Sequence, residues 1–443
     1  MQNNQMSVAD TFGLGFMTFA FFLGAGNLIF PPFAGMLAGE NMSWAMIGFL
    51  ITAVGLPLSG LIAVARAKGN VMGMLPAFAA TALAVAIYII IGPAFAAPRT
   101  GLVAYEIGVR PFLEHTSAVY HIAGLELNVT QMWSTLSFFV IAMVLALFPG
   151  KLLDNVGKVL TPLLLTLLVV LAISVIMFTG SAPAAPQGDY ASQPLAKGII
   201  EGYNTMDTLA SLMFGMLIID VLKKKGVSDP KAQTRYLVRA AIIAASGLAF
   251  VYVSLFFLGT SAGDLAKGTT NGGQILTNFV DFQFGSLGTI LLSTVVSLAC
   301  LTTAVGLIVA CSEFFEELIP AFSYRPLVVF FSAICALVAN VGLSQLISIS
   351  IPVLVTIYPV AIALVAITFV TTKLARPEFS HRLVLSVALV FGIIDGLKAA
   401  GVDMSALKFL PLFDDGMAWV IPTFFTIIAC VAIPRHKSLE AKA

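Results

Sequence analysis

Two stretches of the chain place groups able to hold ions in the middle of long apolar runs. The first is Phe21-Phe22-Leu23-Gly24-Ala25-Gly26-Asn27-Leu28-Ile29-Phe30-Pro31-Pro32, in a segment with no charged residue between Asp10 and Glu40. Glycine and asparagine are poor helix formers, and two prolines follow a turn later. An unwound segment here would offer carbonyls to a cation and N–H groups to a carboxylate. The same residues would equally serve a close helix–helix contact at Gly24 and Gly26 with a proline kink. The second stretch is Glu201-Gly202-Tyr203-Asn204-Thr205-Met206-Asp207, where Asp207 lies roughly midway between Lys197 and Asp220. A carboxylate at the bilayer midplane costs about 2.5–3.5 kcal/mol on insertion scales, so something must offset it. Either Asp207 lines a cation or substrate pathway, or it is a structural pair or protonated acid hydrogen-bonded within a helix bundle.

A third candidate is Thr302-Thr303, midway along an uncharged run from Asp281 to Glu313. Adjacent hydroxyls would complete an oxygen cage for Na⁺ with carbonyls of the first stretch. Alternatively, each hydroxyl bonds the carbonyl one turn back, as is common in spanning helices.

These residues need elements that hold them at membrane depth, and the composition supplies them. The 443 residues are 59% hydrophobic and 10% charged, against about 25% charged for soluble domains. Mean hydropathy is +1.00. With roughly 20 apolar residues per span, the chain reads as an all-α multi-pass membrane protein of twelve transmembrane helices. Their limits are about 11–38, 44–65, 75–98, 129–149, 159–180, 196–221, 237–260, 285–312, 326–347, 349–372, 382–401 and 413–434. One transmembrane domain, 1–443, is expected, with no soluble domain attached. The start lacks the Lys or Arg of a cleavable signal peptide, so the first apolar run is expected to be retained.

Charge tests the count. With the N-terminus inside, about three quarters of the Lys and Arg fall in inner loops and the tail, as the positive-inside rule requires. Arg99, Arg110, Lys197, Lys267, Lys398 and Lys408 fall outside. Both termini are therefore expected in the cytoplasm. Trp44, Trp133 and Trp419 each open a segment entering from the outer face, where an aromatic belt sits.

The interrupted segments are the first and sixth. Matched interruptions in two halves point to a secondary transporter's binding site. A repeat of five spans sets segments 1–5 (about 11–180) against 6–10 (about 196–372) in opposite orientation, leaving helices 11 and 12 (about 382–434) as additions.

Other classes fit less well. A net charge of +1 without a basic stripe argues against nucleic acid. The four cysteines lie singly in apolar runs and read as packing thiols. The histidines fall in loops or at segment edges, and neither a zinc-protease motif nor a phosphate loop is present, so an enzyme is not expected. A channel would call for symmetric subunits or a ring of like charges, which one midplane aspartate does not provide.

The run Gly24-Ala25-Gly26-Asn27-Leu28-Ile29-Phe30-Pro31-Pro32 resembles the branched-chain amino acid carrier family (transport system II). So do Gly92-Pro93 with Pro98-Arg99-Thr100, the stretch Glu201 to Asp207, and Leu301-Thr302-Thr303-Ala304. The resemblance covers essentially the whole chain. It implies a leucine-transporter-type fold of five-plus-five inverted repeats, in the amino acid–polyamine–cation group. It also implies cation-coupled import of leucine, isoleucine and valine across the cytoplasmic (inner) membrane, without a cofactor or an obligatory protein partner. By position, Ala25, Gly26 and Asn27 would meet the substrate carboxylate. Tyr203, Asn204, Thr205 and Asp207 would meet its amine and line the pocket. Sodium would take carbonyls of Ala20, Leu23 and Ala299 and the hydroxyls of Thr302 and Thr303. Na⁺ and H⁺ both stand as coupling ions, Asp207 and Glu201 keeping the proton in play. The alternatives are an ion channel or a carrier of another small zwitterionic or apolar substrate.

Overall fold

The apolar runs fold as helices in a computed structural model that describes residues 6–113, 119–122, 125–148, 152–177 and 180–433. The first run is split into α1 (Val8–Phe22) and α2 (Ala25–Ala38). α3 (Met42–Leu50) and α4 (Leu56–Arg66) are joined through a wide π-helical turn at Ile51–Gly55. α5 (Ala77–Ile89) and α6 (Ala96–Gly108) flank a second such turn, Ile90–Ala94, where Gly92 leaves helical geometry (φ −83°, ψ −117°) just before Pro93. A hairpin of β1 (Val119–Ile122) and β2 (Leu125–Asn128) leads into α7 (Val129–Leu147) and α8 (Leu152–Met177). The sixth run is split into α9 (Pro194–Tyr203) and α10 (Asp207–Lys224), bent by 43°. There follow α11 (Pro230–Ser261), α12 (Gly272–Leu318), α13 (Tyr324–Val338), α14 (Leu343–Val370), α15 (Pro377–Ala399) and α16 (Val420–Ala432). α12 is kinked at Gly285 (φ 64°), a backbone setting that suits a residue without Cβ.

This is a multi-pass membrane architecture. Among the described residues, seven helical stretches are long and apolar enough to cross a bilayer, or eight if the bent α9–α10 pair is one span. Helix length alone does not deliver the twelve expected from hydropathy. α1 and α16 are apolar but shorter than a full span, as is the apolar stretch Leu165–Met177 of α8. Large apolar side chains such as Ile176, Leu287 and Phe425 stand exposed on the helix flanks, where lipid would meet them.

The architecture is helical as expected, with a short hairpin of β1 and β2 in the connection after the third segment. Two expectations need correcting. The third segment does not end near 98: after the break at Gly92-Pro93 the helix resumes and runs to Gly108. Arg99 is therefore no outer-loop charge but lies 2% exposed inside the bundle. Trp419 is likewise 8% exposed, its backbone N–H reaching Asp395 of α15, whereas Trp44 and Trp133 are exposed as a belt requires.

Small residues let the helices close up. The Cβ positions of Gly48 and Gly198 point at the backbones of α9 and α3 respectively, and those of Gly35 and Gly259 at α11 and α2. Such close approach is how membrane helices gain packing energy without a hydrophobic drive. Two groups emerge. α1 to α4 pack with α9, α10 and α11, whereas α6, α7, α12 and α13 pack with one another. α2 also lies along α12, so the first break sits at the seam. The four cysteines are all buried and unbridged.

Candidate functional site

The first break is narrower than the sequence suggests. Only Leu23 (ψ 79°) and Gly24 (φ −100°, ψ −173°) leave the helix; Ala25, Gly26 and Asn27 form the first turn of α2. The Gly24 N–H bonds Phe22 O (2.7 Å) and Asn27 Oδ1 (3.3 Å). It thereby abandons the carbonyl of Ala20, four residues back. The ladder of α1 thus ends where the resemblance places cation-binding carbonyls. Gly24 does not mediate a tight helix contact: a Cβ added there would meet its nearest neighbours, among them Thr303 Cγ2, only at 3.7 Å.

The second break consists of Asn204, Thr205 and Met206. Gly202 remains helical, its face closed by Thr52 of the turn between α3 and α4. Met206 adopts a left-handed conformation (φ 62°), strained for a bulky residue. That turn ends α9 and lets α10 begin at Asp207. Both α2 and α10 therefore start inside the protein, and each presents its positive dipole end to the interior.

The breaks meet. Asn27 Nδ2 donates to Asp207 Oδ2 at 2.7 Å across 180 residues of sequence. Tyr252 of α11 donates to the same oxygen at 2.8 Å and is itself close to Asn27 Nδ2. All three side chains are buried. Asp207 at the start of α10 thus has two side-chain donors and a favourable dipole, which act against its desolvation. Its carboxylate ties segments 1, 6 and 7. Thr205 Oγ1 turns to Gly202 O (2.9 Å) and lies 3.4 Å from the Asp207 N–H, supporting the break itself. Tyr203 stacks on Tyr358 of α14 with centroids 4.3 Å apart.

Thr302 and Thr303 lie on α12 beside the first break. Each hydroxyl donates to Ala299 O, at 2.9 and 3.0 Å. The helix-bonded alternative therefore holds for both, and each oxygen retains lone pairs for a cation. Glu201, one turn before the second break, lies 3.9 Å from Lys197.

Two participants escaped the sequence reading. Tyr252 is a lone tyrosine in an apolar run, with nothing in its spacing to mark it. Arg99 had a signal in Gly92-Pro93, a third interruption, but a span cut at Pro98 puts it in a loop. Its Nη1 donates to Asn204 O at 2.6 Å in the second break, and its guanidinium lies 5.0 Å from the Phe30 ring of α2. A groove of about 300 Å³ between α8, α12 and Leu28 is lined by apolar side chains alone and holds none of the predicted site residues.

Residues 7–437 match the family model described as branched-chain amino acid transport protein. The chain is 44% identical to the branched-chain amino acid transport system 2 carrier protein of Pseudomonas aeruginosa, over 96% of each chain. It is 40% identical to the branched-chain amino acid permease BraB of Bacillus subtilis (95% and 94% covered). Identity to the permease BrnQ of Escherichia coli is 38% (98% and 97%). Among solved structures it resembles Mhp1, a nucleobase-cation-symport-1 family transporter, with a TM-score of 0.57 and 13% identity (95% and 91% covered). It also resembles MhsT in complex with L-phenylalanine, at 0.51 and 16% (94% and 97%). Those two likenesses establish a shared helical fold, and the match along nearly the whole length establishes more: this chain belongs to the branched-chain amino acid transport protein family, whose members are permeases rather than enzymes.

Proposed function

We propose that the chain is a secondary active symporter that imports leucine, isoleucine and valine by alternating access, with Na⁺ as the coupling ion. The observation that carries this reading is the meeting of the two breaks at Asn27 and Asp207. Two helix N-termini and the end of α1 converge there in a region closed to solvent, as a transporter's midplane site requires. The relatives named as branched-chain amino acid permeases support the substrate class. An apolar pocket discriminates by only about 1–3 kcal/mol per methylene, so three aliphatic amino acids sharing one carrier is expected.

The arrangement favours Na⁺ over H⁺. Asp207 accepts from two side-chain donors that hold its carboxylate in place. The hydroxyls of Thr302 and Thr303 and the carbonyls of Ala20, Leu23 and Ala299 are oxygen ligands of the kind Na⁺ takes. One co-imported charge gains about 2.3 kcal/mol per 100 mV, enough for roughly fifty-fold accumulation. Twelve spans in five-plus-five inverted repeats, with α15 and α16 as additions and both termini cytoplasmic, complete the reading. The test is uptake of labelled leucine into proteoliposomes, first under an imposed Na⁺ gradient and then under a pH gradient alone. Uptake driven by Na⁺ only is expected. Uptake driven by the pH gradient alone makes the proton the coupling ion, and uptake under neither overturns symport.

A further inference from the structure

Arg99 is a cation buried at the site, within electrostatic reach of Asp207 but bonded to no anion among the described residues. It lies 2% exposed, and its Nε and Nη2 have no hydrogen-bond partner among the described residues. The one bond it makes goes to a neutral acceptor, the carbonyl of Asn204. Asp207 is committed to Asn27 and Tyr252, and Arg99 forms no ion pair among the described residues. Arginine does not shed its charge in proteins. A guanidinium with donors to spare in a buried setting is therefore incomplete until an anion arrives.

Its position identifies that anion. Nη1 lies 3.1 Å from where a Cβ on Gly26 would sit, so Gly26 lets the guanidinium come up against the first turn of α2. The Asn27 N–H returns to Gly24 O at 3.2 Å. The N–H groups of Ala25 and Gly26 are first-turn donors that helix geometry leaves without intrahelical partners. α2 is 14 residues long, so its dipole favours negative charge at this end. A planar fork of donors facing a helix N-terminus matches a carboxylate, which accepts bidentately from arginine. The Phe30 ring packs against the guanidinium from α2 and holds its plane.

The geometry points to Arg99 as a specificity-determining residue that, with the first turn of α2, receives the α-carboxylate of the transported amino acid. This rests on the amino acid permease reading and adds the group that makes the carboxylate obligatory. It also links substrate to motion, because Arg99 sits on α6 in one packed group while α2 and Asn204 belong to the other. A site built to bond a buried polar group strongly rejects an analogue lacking it.

The test measures binding to the purified full chain. The ligands are leucine, leucinamide, 3-methylbutylamine (leucine without its carboxylate) and 4-methylpentanoate (leucine without its amine). The proteins are wild type, Arg99→Lys and Arg99→Gln, each checked for a monodisperse, cooperatively melting state. Wild type is expected to prefer leucine to leucinamide by at least about a hundredfold. Arg99→Gln should lose most of that preference and all competition by 4-methylpentanoate, and Arg99→Lys should regain part of both. A merely structural role would weaken all four ligands together and leave their ratios intact, which overturns the inference. So does leucine binding unchanged in Arg99→Gln. If that variant does not fold, wild type alone decides: equal affinity for leucine and leucinamide overturns the assignment. Wild type that binds no leucine overturns the permease reading itself, and the inference with it.

Discussion

Asp207 accepts hydrogen bonds from two side chains that come from other segments, so changes at the three positions should differ in kind. Asp207→Asn keeps the shape but sets an amide against the Asn27 amide and removes the charge facing the site. Leucine uptake should fall by at least about tenfold with the protein still folded; normal coupled uptake would reduce Asp207 to a packing residue. Tyr252→Phe removes one donor to a buried carboxylate, a loss of about 1.5–3 kcal/mol, visible as a lower melting temperature. Thr302→Ala takes away one of the two hydroxyls bonded to Ala299 O on α12. The Na⁺ concentration for half-maximal uptake should rise roughly tenfold, equivalent to about 1.4 kcal/mol, with the saturating rate nearly kept. Unchanged sodium dependence would remove Thr302 from the cation site. At this scale the sequence was informative where a residue offends its surroundings. Asp207 and Asn27 are polar groups in apolar runs, whereas Tyr252 offends nothing and becomes visible only through its partners. Arg99 offended too, but was discounted because helix 3 was ended one residue before it.

At the scale of elements, the interrupted segments were readable because glycine, asparagine and proline interrupt a helix by known chemistry. Their interruptions were misplaced by a few residues, because tertiary neighbours decide which of several weak positions gives way. Gly202 stays helical since Thr52 closes over it, and the strain moves to Met206, which no propensity scale would choose for a left-handed turn. Glycines elsewhere separate into two kinds. Gly198→Ala would drive a methyl into the carbonyl of Ala45 and should destabilise by about 1–3 kcal/mol. Gly306→Ala, with nothing within 4 Å of the new methyl, should be neutral or stabilising by up to about 1 kcal/mol. Thermal melting of both variants checks the contrast, and equal melting temperatures would refute it. The long runs of segments 7, 8 and 10 were legible from hydropathy alone. The hairpin after segment 3 was not, because short strands leave no such signature.

At the scale of the whole molecule, orientation is the property most open to a direct measurement. Lys225 pairs with Asp10 at 2.8 Å, which puts the loop after α10 on the same face as the start of α1. In the proposed topology, which follows the surplus of Lys and Arg, that face is cytoplasmic. Because the native cysteines are buried, a membrane-impermeant maleimide should find little to label in the unaltered chain. Lys224→Cys should then be labelled only in inside-out vesicles, and Lys267→Cys, in the exposed turn after α11, only from outside. Labelling of both from one side would break the topology.

The side chains that join the two breaks all come from the group formed by α1 to α4 with α9 to α11. A rigid-body rocking of that group against α6, α7, α12 and α13 would carry the Asn27–Asp207–Tyr252 triad along intact. What must part and rejoin at each half-cycle is the bond from Arg99 to Asn204 O and the packing of α2 along α12. One hydrogen bond from a charged donor contributes about 1.5–3 kcal/mol, a small share of any barrier to turnover. The carrier's idle speed would then be set by how readily those two attachments let go. Cargo seated across the same seam would act as a clutch, engaging both bodies at once and deciding when they turn together.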